Sequence, residues 1–279
     1  MGASGDSPPV ALAPTAPVTA DLLAGVLRHD RAVVLGSLGF VVVLAWVYLL
    51  LGAGVEMATM DMGGGRMMAM LPEWTLAYGL VVFAMWAVMM VAMMLPSAAP
   101  VTLLIAALAR KRREAGSVVG LTTGPFVLGY LAVWFAFAAA ATALQWGLGA
   151  LGLLSETMAL ASMVAAGVVL VAAGIYQWTP LKEACLRHCR SPLGFLLHHW
   201  RDGAVGALVS GARHGVYCLG CCWMLMALLF VGGIMNLAWI AGIALIVLIE
   251  KALPWGGRTN RVTGAVLVVW GAATLAMAA

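Results

Sequence analysis

Apolar residues run along this chain in long stretches separated by short polar segments. The stretches fall near Val33–Leu51, Thr75–Leu95, Leu121–Trp146, Met158–Trp178, Val216–Gly233, Leu237–Ile249 and Val262–Met277. A helix needs about 20 apolar residues to cross a hydrocarbon core, and a helix pairs its own backbone groups where no water can. The pattern therefore predicts an all-α fold, a polytopic transmembrane helical bundle of about six to seven spans. Two segments are ambiguous by length. Apolar character continues past Pro96 to Ala109, so the second reads either as one long kinked helix or as a span with a re-entrant piece. The segment Leu237–Ile249 is short for a full crossing and reads as a tilted span or as one packed deep in the bundle.

Polar positions then set the organisation. Residues 1–27 hold no Lys or Arg but contain Pro8, Pro9, Pro14 and Pro17, unlike a cleaved signal peptide with its basic start. Residues 1–31 are expected to be a disordered cytoplasmic tail and 32–279 a single transmembrane helical domain, with 180–215 a cytoplasmic loop carrying cysteine and histidine. With the N-terminus inside, every basic residue except Arg66 falls in an inside segment, including the run Arg110, Lys111, Arg112 and Arg113. That asymmetry predicts a cytoplasmic N-terminus in a bacterial cytoplasmic membrane.

Composition narrows the class. The chain is 64% hydrophobic and 9% charged, with a mean hydropathy of +1.03. Soluble domains are roughly 45–50% apolar and about 25% charged, which excludes an ordinary soluble fold. A net charge of +4 spread over short runs between spans indicates the lipid bilayer as partner and no nucleic acid. Gly120, Gly124, Gly147, Gly149 and Ala138–Ala141 are small residues suited to close helix packing. Trp74, Trp146, Trp178 and Trp255 fall near span ends, where indole favours the interface. Glu250 and Lys251, at a cytoplasmic helix end, are expected to pair with each other or with Arg213. No Walker motif, GxSxG, HExxH or dinucleotide fingerprint occurs, which argues against an ATP-driven pump and the common hydrolases.

Candidate chemistry is concentrated in one region. All five cysteines lie between residues 185 and 222. In a reducing cytosol free thiols point to metal or redox work and not to disulfides. Cys185, His188 and Cys189 stand at i, i+3, i+4, as do Cys218, Cys221 and Cys222; on a helix each trio shares one face. The strings CLRHC and CLGCC share a pattern and read as two halves of one site, which His214, four residues before Cys218, would join. Thiolate with imidazole suits Zn²⁺, Cu⁺ or an iron–sulfur cluster. In MWAVMMVAMMLP, Met89 and Met93 follow Met85 at helical spacing, with Met90 and Met94 on the adjacent stripe. Methionine is also an adaptable core filler, but thioethers select Cu⁺, and Met89–Met94 lie at a depth comparable with Cys218–Cys222. A third group, Met57, Met60, Met62, Met67, Met68 and Met70 with Asp61, lies in an external loop. That loop reads as a capture site for Cu⁺ or Ag⁺, or as a flap lying on lipid.

The string KEACLRHCRSPLGFL, Trp200, Gly203, Gly206 and Ala207, the run CLGCCWMLM, Phe230, Gly233, Met235, Asn236, Leu237 and the string EKALP resemble a bacterial family defined as predicted metal-binding integral membrane proteins. MMVAMMLPSAAP looks like that family's methionine motif, and the likeness covers roughly residues 75–255. The resemblance implies a bound metal without implying a mechanism. The reading is a membrane protein that binds a soft transition metal, Cu⁺ before Zn²⁺, for handling, transfer or metalloenzyme assembly with a membrane or periplasmic metalloprotein partner. The rivals are a thiol–disulfide or electron-transfer protein using Cys218 and Cys221 with a quinone, and an accessory subunit with a zinc-stapled hairpin.

Overall fold

The computed structural model describes residues 20–54, 58–61, 67–70, 74–114, 123–155, 158–253 and 256–279. The chain runs through α1 (Ala20–Leu50), a hairpin of β1 (Ala58–Asp61) and β2 (Met67–Met70), α2 (Leu76–Glu114), α3 (Thr123–Ala150) and α4 (Met163–Tyr176). It continues through α5 (Pro180–Arg190), α6 (Pro192–His199), α7 (Gly203–Ala227), the single turn α8 (Leu229–Gly232), α9 (Leu237–Ala252) and α10 (Gly256–Ala278). Five helical stretches are long and apolar enough to cross a membrane, and a sixth is added if α4 and α5, bent by 63° at their junction, count as one span. The molecule is a helical bundle, as the hydrophobic pattern predicts. The tail expected over 1–31 lies outside the described residues as far as residue 19, and α1 already begins at Ala20. Between α1 and α2, β1 and β2 pair antiparallel, Met60 opposite Met68 and Asp61 opposite Met67; Met57 and Met62 lie outside the described residues.

The long second segment resolves into one helix. α2 continues through Pro96 and Pro100 for 39 residues, about 58 Å at helical rise, nearly twice a hydrocarbon core of about 30 Å. Each proline lacks an amide proton, so the carbonyls of Ala92 and Pro96 lose their helical donors. α2 is thus longer than one crossing needs, and its second half joins a second, smaller cluster of Val101, Ile105, Phe126, Phe195, Leu196 and Ala207. There α6 and the first turns of α3 and α7 pack together.

Close packing rests on glycines other than those the sequence singled out. Gly124 and Gly147 have open space where a Cβ would stand. The tight crossing is that of α3 with α7, where a Cβ on Gly211 would lie 1.9 Å from the Phe126 carbonyl oxygen and one on Gly129 would lie 2.0 Å from that of Leu208. α4 and α10 approach in the same way, Gly174 against Gly264 and Gly167 against Gly271. In lipid, where apolar surface alone does not drive helices together, such backbone contact supplies the dispersion energy of association.

Residues 180–215, expected as a loop carrying cysteine and histidine, fold into α5, α6 and the first turns of α7. The reason is local. Thr179 caps α5 by accepting the Lys182 amide, Pro180 fixes the first turn and Glu183 lies in it, while Arg187, His188 and Arg190 face the negative end. α5 is held on the bundle by a buried ion pair, Lys182 Nζ to Glu250 Oε2 at 2.6 Å, with side chains 1% and 2% exposed. The Arg190 guanidinium also donates to the Glu250 carbonyl. Glu250 therefore pairs with Lys182, and neither with Lys251 nor with Arg213.

Candidate metal centre

The buried stripe of α7 reads Ala207, Ser210, Gly211, His214, Gly215, Cys218, Cys221, Cys222, Leu225 and Met226. This is the three-four spacing of one helix face, and it turns all three cysteines of CLGCC inward. α5 lies along the same helix. Cys185 Sγ abuts Gly220, where a Cβ would stand 2.7 Å from the sulfur, so the glycine of CLGCC leaves room for the first cysteine of CLRHC. One turn on, the His188 ring stacks on Tyr217 at 4.1 Å and 9°. Cys189 packs against the buried cluster that holds Cys218, Cys221 and Cys222, and the Cys221 and Cys222 thiols donate to the Cys218 carbonyl at 3.0 and 2.9 Å. All five cysteines are free thiols.

α2 closes the opposite side. The Met94 sulfur lies 4.0 Å from the Cys222 thiol. Tyr130 on α3 donates its hydroxyl to the Met94 carbonyl at 3.0 Å and lies 3.1 Å from Cys218 Sγ. Ser97 donates to the same carbonyl at 2.7 Å. Met89, Met90 and Met93 are buried in the core cluster that also holds the three cysteines of α7.

The centre of this sulfur cluster holds a cation belonging to the chain itself. Lys251, on the last turn of α9, places Nζ 2.9 Å from Cys218 Sγ, 3.8 Å from Cys222 Sγ, 3.9 Å from Met94 Sδ and 3.3 Å from Ser97 Oγ. As the side chains stand, no group of three Cys, His, Asp or Glu among the described residues is disposed to hold a metal ion. The sulfurs surround an ammonium instead.

Residues 83–274 match the PpoB2 family, described as a copper chaperone. The chain belongs to that family. The match runs from within α2 through most of α10, and takes in all five cysteines, Met94 and Lys251. It agrees with the metal-binding resemblance read from the motifs and points to copper handling. No curated protein and no solved structure matches the chain.

Two sequence-predicted members are held among aromatic rings. His214 sits in an aromatic box, its ring 5.0 Å from Phe195, 5.8 Å from Tyr130 and 5.9 Å from Phe126, and its Nδ1 has no hydrogen-bond partner among the described residues. His188 gives Nδ1 to the Ala184 carbonyl at 2.8 Å and faces Tyr217 and His199. Burial pushes His199 below the ordinary imidazole range, and Arg213 adds to the effect.

Lys251, Tyr130, Ser97 and Lys182 were not singled out as site residues by sequence reasoning. A signal existed for Lys251, since an ionisable residue in an apolar helix is a functional pointer by default. Tyr130 and Ser97 carry none, because only the fold brings them to Cys218.

Proposed function

We propose that this protein is an integral membrane copper(I) carrier of a bacterial cytoplasmic membrane. It holds Cu⁺ among Cys189, Cys218, Cys221, Cys222 and Met94 and passes it to a metalloprotein partner. Cys185, at the rim against Gly220, is the entry thiol. The observation that carries the reading is the meeting of Met94, Cys218 and Cys222 around one buried cationic group, each sulfur within 4 Å of the Lys251 nitrogen. A thioether beside thiolates is the donor set of a soft monovalent ion, and Zn²⁺ gains little from the methionine. Family membership supports copper as the cargo. His188 and His214 then serve packing, Met89, Met90 and Met93 fill the core, and a cytoplasmic N-terminus follows from the placement of the basic residues.

The test is anaerobic Cu⁺ titration of the reconstituted protein against a chromophoric chelator. Cys218→Ser and Cys222→Ser should each remove most of the bound copper, and Cys189→Ser combined with Cys222→Ser should remove little more than either alone, because a shared centre is lost once. A Cys218→Ser/Cys222→Ser double variant that keeps the parent's copper stoichiometry would overturn the reading.

A further inference from the structure

We propose that Lys251 is a place-holding cation, whose ammonium occupies the copper position in the empty protein and leaves the pocket when Cu⁺ enters. The inference rests on the copper reading above and adds to it the means by which the pocket discriminates among metals. Four observations converge on it. Lys251 is 9% exposed, although it lies on a helix end where a lysine could reach water. Its nitrogen makes contact with two thiol sulfurs, a thioether and a hydroxyl. The nearest buried carboxylate, Glu250, is committed to Lys182. Ala252 and Leu253, which follow it, are exposed.

An ammonium has three donors and no acceptor, so Lys251 cannot ligate a metal while it is charged. It also stands where a metal would have to be. Metal–thiolate bonds are about 2.3 Å long, whereas the sulfurs lie 2.9 to 3.9 Å from Nζ. The shell must therefore contract around a smaller ion once the ammonium has gone. The exit is short, because Lys251 is one residue from the end of α9 and its flexible stem can lie along apolar surface while the head reaches the interface.

The exchange is balanced in charge with Cys218, 2.9 Å from the ammonium, as the one thiolate of the pocket before and after, so that no proton leaves on binding. A monovalent ion then enters as a monovalent group leaves, and the buried pocket keeps its total. A divalent ion making the same exchange would leave one uncompensated positive charge in a low-dielectric site, which is costly, or would have to expel a proton from a second thiol. Lys251 thereby favours monovalent soft ions over Zn²⁺ independently of the sulfur ligands' own preference.

Lysine footprinting on the wild-type protein tests this directly, because the chain has only three lysines. Lys111 is exposed and reports full labelling; Lys182, closed in its ion pair, reports none. Acylation read by mass spectrometry, with Ag⁺ as a redox-inert monovalent probe, should show Lys251 protected in the metal-free protein and labelled after loading. Zn²⁺ at the same concentration should leave it protected. In parallel, Lys251→Leu, which removes the competing cation without adding a sulfur, should bind Cu⁺ more tightly by on the order of ten-fold, within the usual range for two ligands coupled at one site. Lys251→Arg, which keeps the charge, should bind no more tightly than the parent.

Stoichiometric Ag⁺ binding with Lys251 still protected would overturn the place-holder while leaving the copper reading intact. Equal exposure of Lys251 by Zn²⁺ would overturn the selectivity argument. Failure of both Cu⁺ and Ag⁺ to bind would overturn the carrier reading and the place-holder together.

Discussion

Lys182→Met is the most informative single perturbation of the scaffold. The substitution leaves Glu250 buried, 1% exposed, with no countercharge on Oε2 and with Oε1 already lacking a hydrogen-bond partner among the described residues. Removing one partner of a buried pair costs about 3–5 kcal/mol, most of it the desolvation of the orphaned charge. For a chain of this size that lowers the melting temperature by roughly 6–20 °C. The double variant Lys182→Met/Glu250→Gln should recover much of the loss, because no buried charge is stranded. A thiol-reactive fluorophore serves as the assay, since it reports melting through the same cysteines that α5 covers. At temperatures below the transition, Cys185 and Cys189 should also label faster in the single variant, as α5 loses its anchor to α9. A single variant that melts with the parent, or a double variant less stable than the single, would refute the account of the pair as α5's clamp.

Three further outcomes follow from the geometry. Met94→Leu should weaken Cu⁺ binding while Met89→Leu/Met90→Leu/Met93→Leu leaves it unchanged, each substitution at a packing cost under ~1.5 kcal/mol; equal effects in the chelator titration would place the copper elsewhere along α2. Gly211→Ala, with its Cβ 1.9 Å from the Phe126 carbonyl oxygen, should destabilise by about 1–3 kcal/mol or more through overpacking, and a parent-like melting curve would show that α3 and α7 can separate without loss. The exposed Arg112–Asp202 pair at 2.8 Å should matter little: the Arg112 guanidinium holds the Asp202 carboxyl below its ordinary range, with Trp200 assisting. Its small stabilisation is complete above about pH 4 and fades as pH falls through the depressed folded value, and the effect should vanish from the stability–pH profile of Asp202→Asn.

Much of this architecture could be read from hydrophobic runs, because in a membrane the helix is the only open-ended element that satisfies its own backbone. The inward face of CLGCC was equally legible, since i, i+3, i+4 spacing fixes a helical face wherever the helix goes. The pairing of CLRHC with CLGCC was readable only as an echo between two strings; the contact itself depends on the bend after Tyr176 and on the missing side chain at Gly220. What could not be read was partner choice among charged residues. Glu250 and Lys251 are adjacent in the chain, yet successive helix positions point about 100° apart, one toward Lys182 and the other toward the sulfurs. Long-range contacts of that kind leave no periodic trace. Of the small residues singled out, Ala138 and Ala141 do lie in the core, whereas Gly124 and Gly147 meet nothing, because a glycine's neighbours on another helix decide whether its missing Cβ is used.

The length of α9 has a consequence for the surrounding lipid. Its 16 residues rise about 24 Å, short of a hydrocarbon core of about 30 Å, and it is not one of the helical stretches long enough to cross by itself. Should α9 cross nonetheless, the lipid beside it must thin to meet it, at a fraction of a kcal/mol per Å of mismatch. Under the copper-carrier proposal, loading past Lys251 at the end of α9 should then be faster in bilayers of short-chain lipids than in thick ones, which makes membrane thickness itself a setting of the transfer rate.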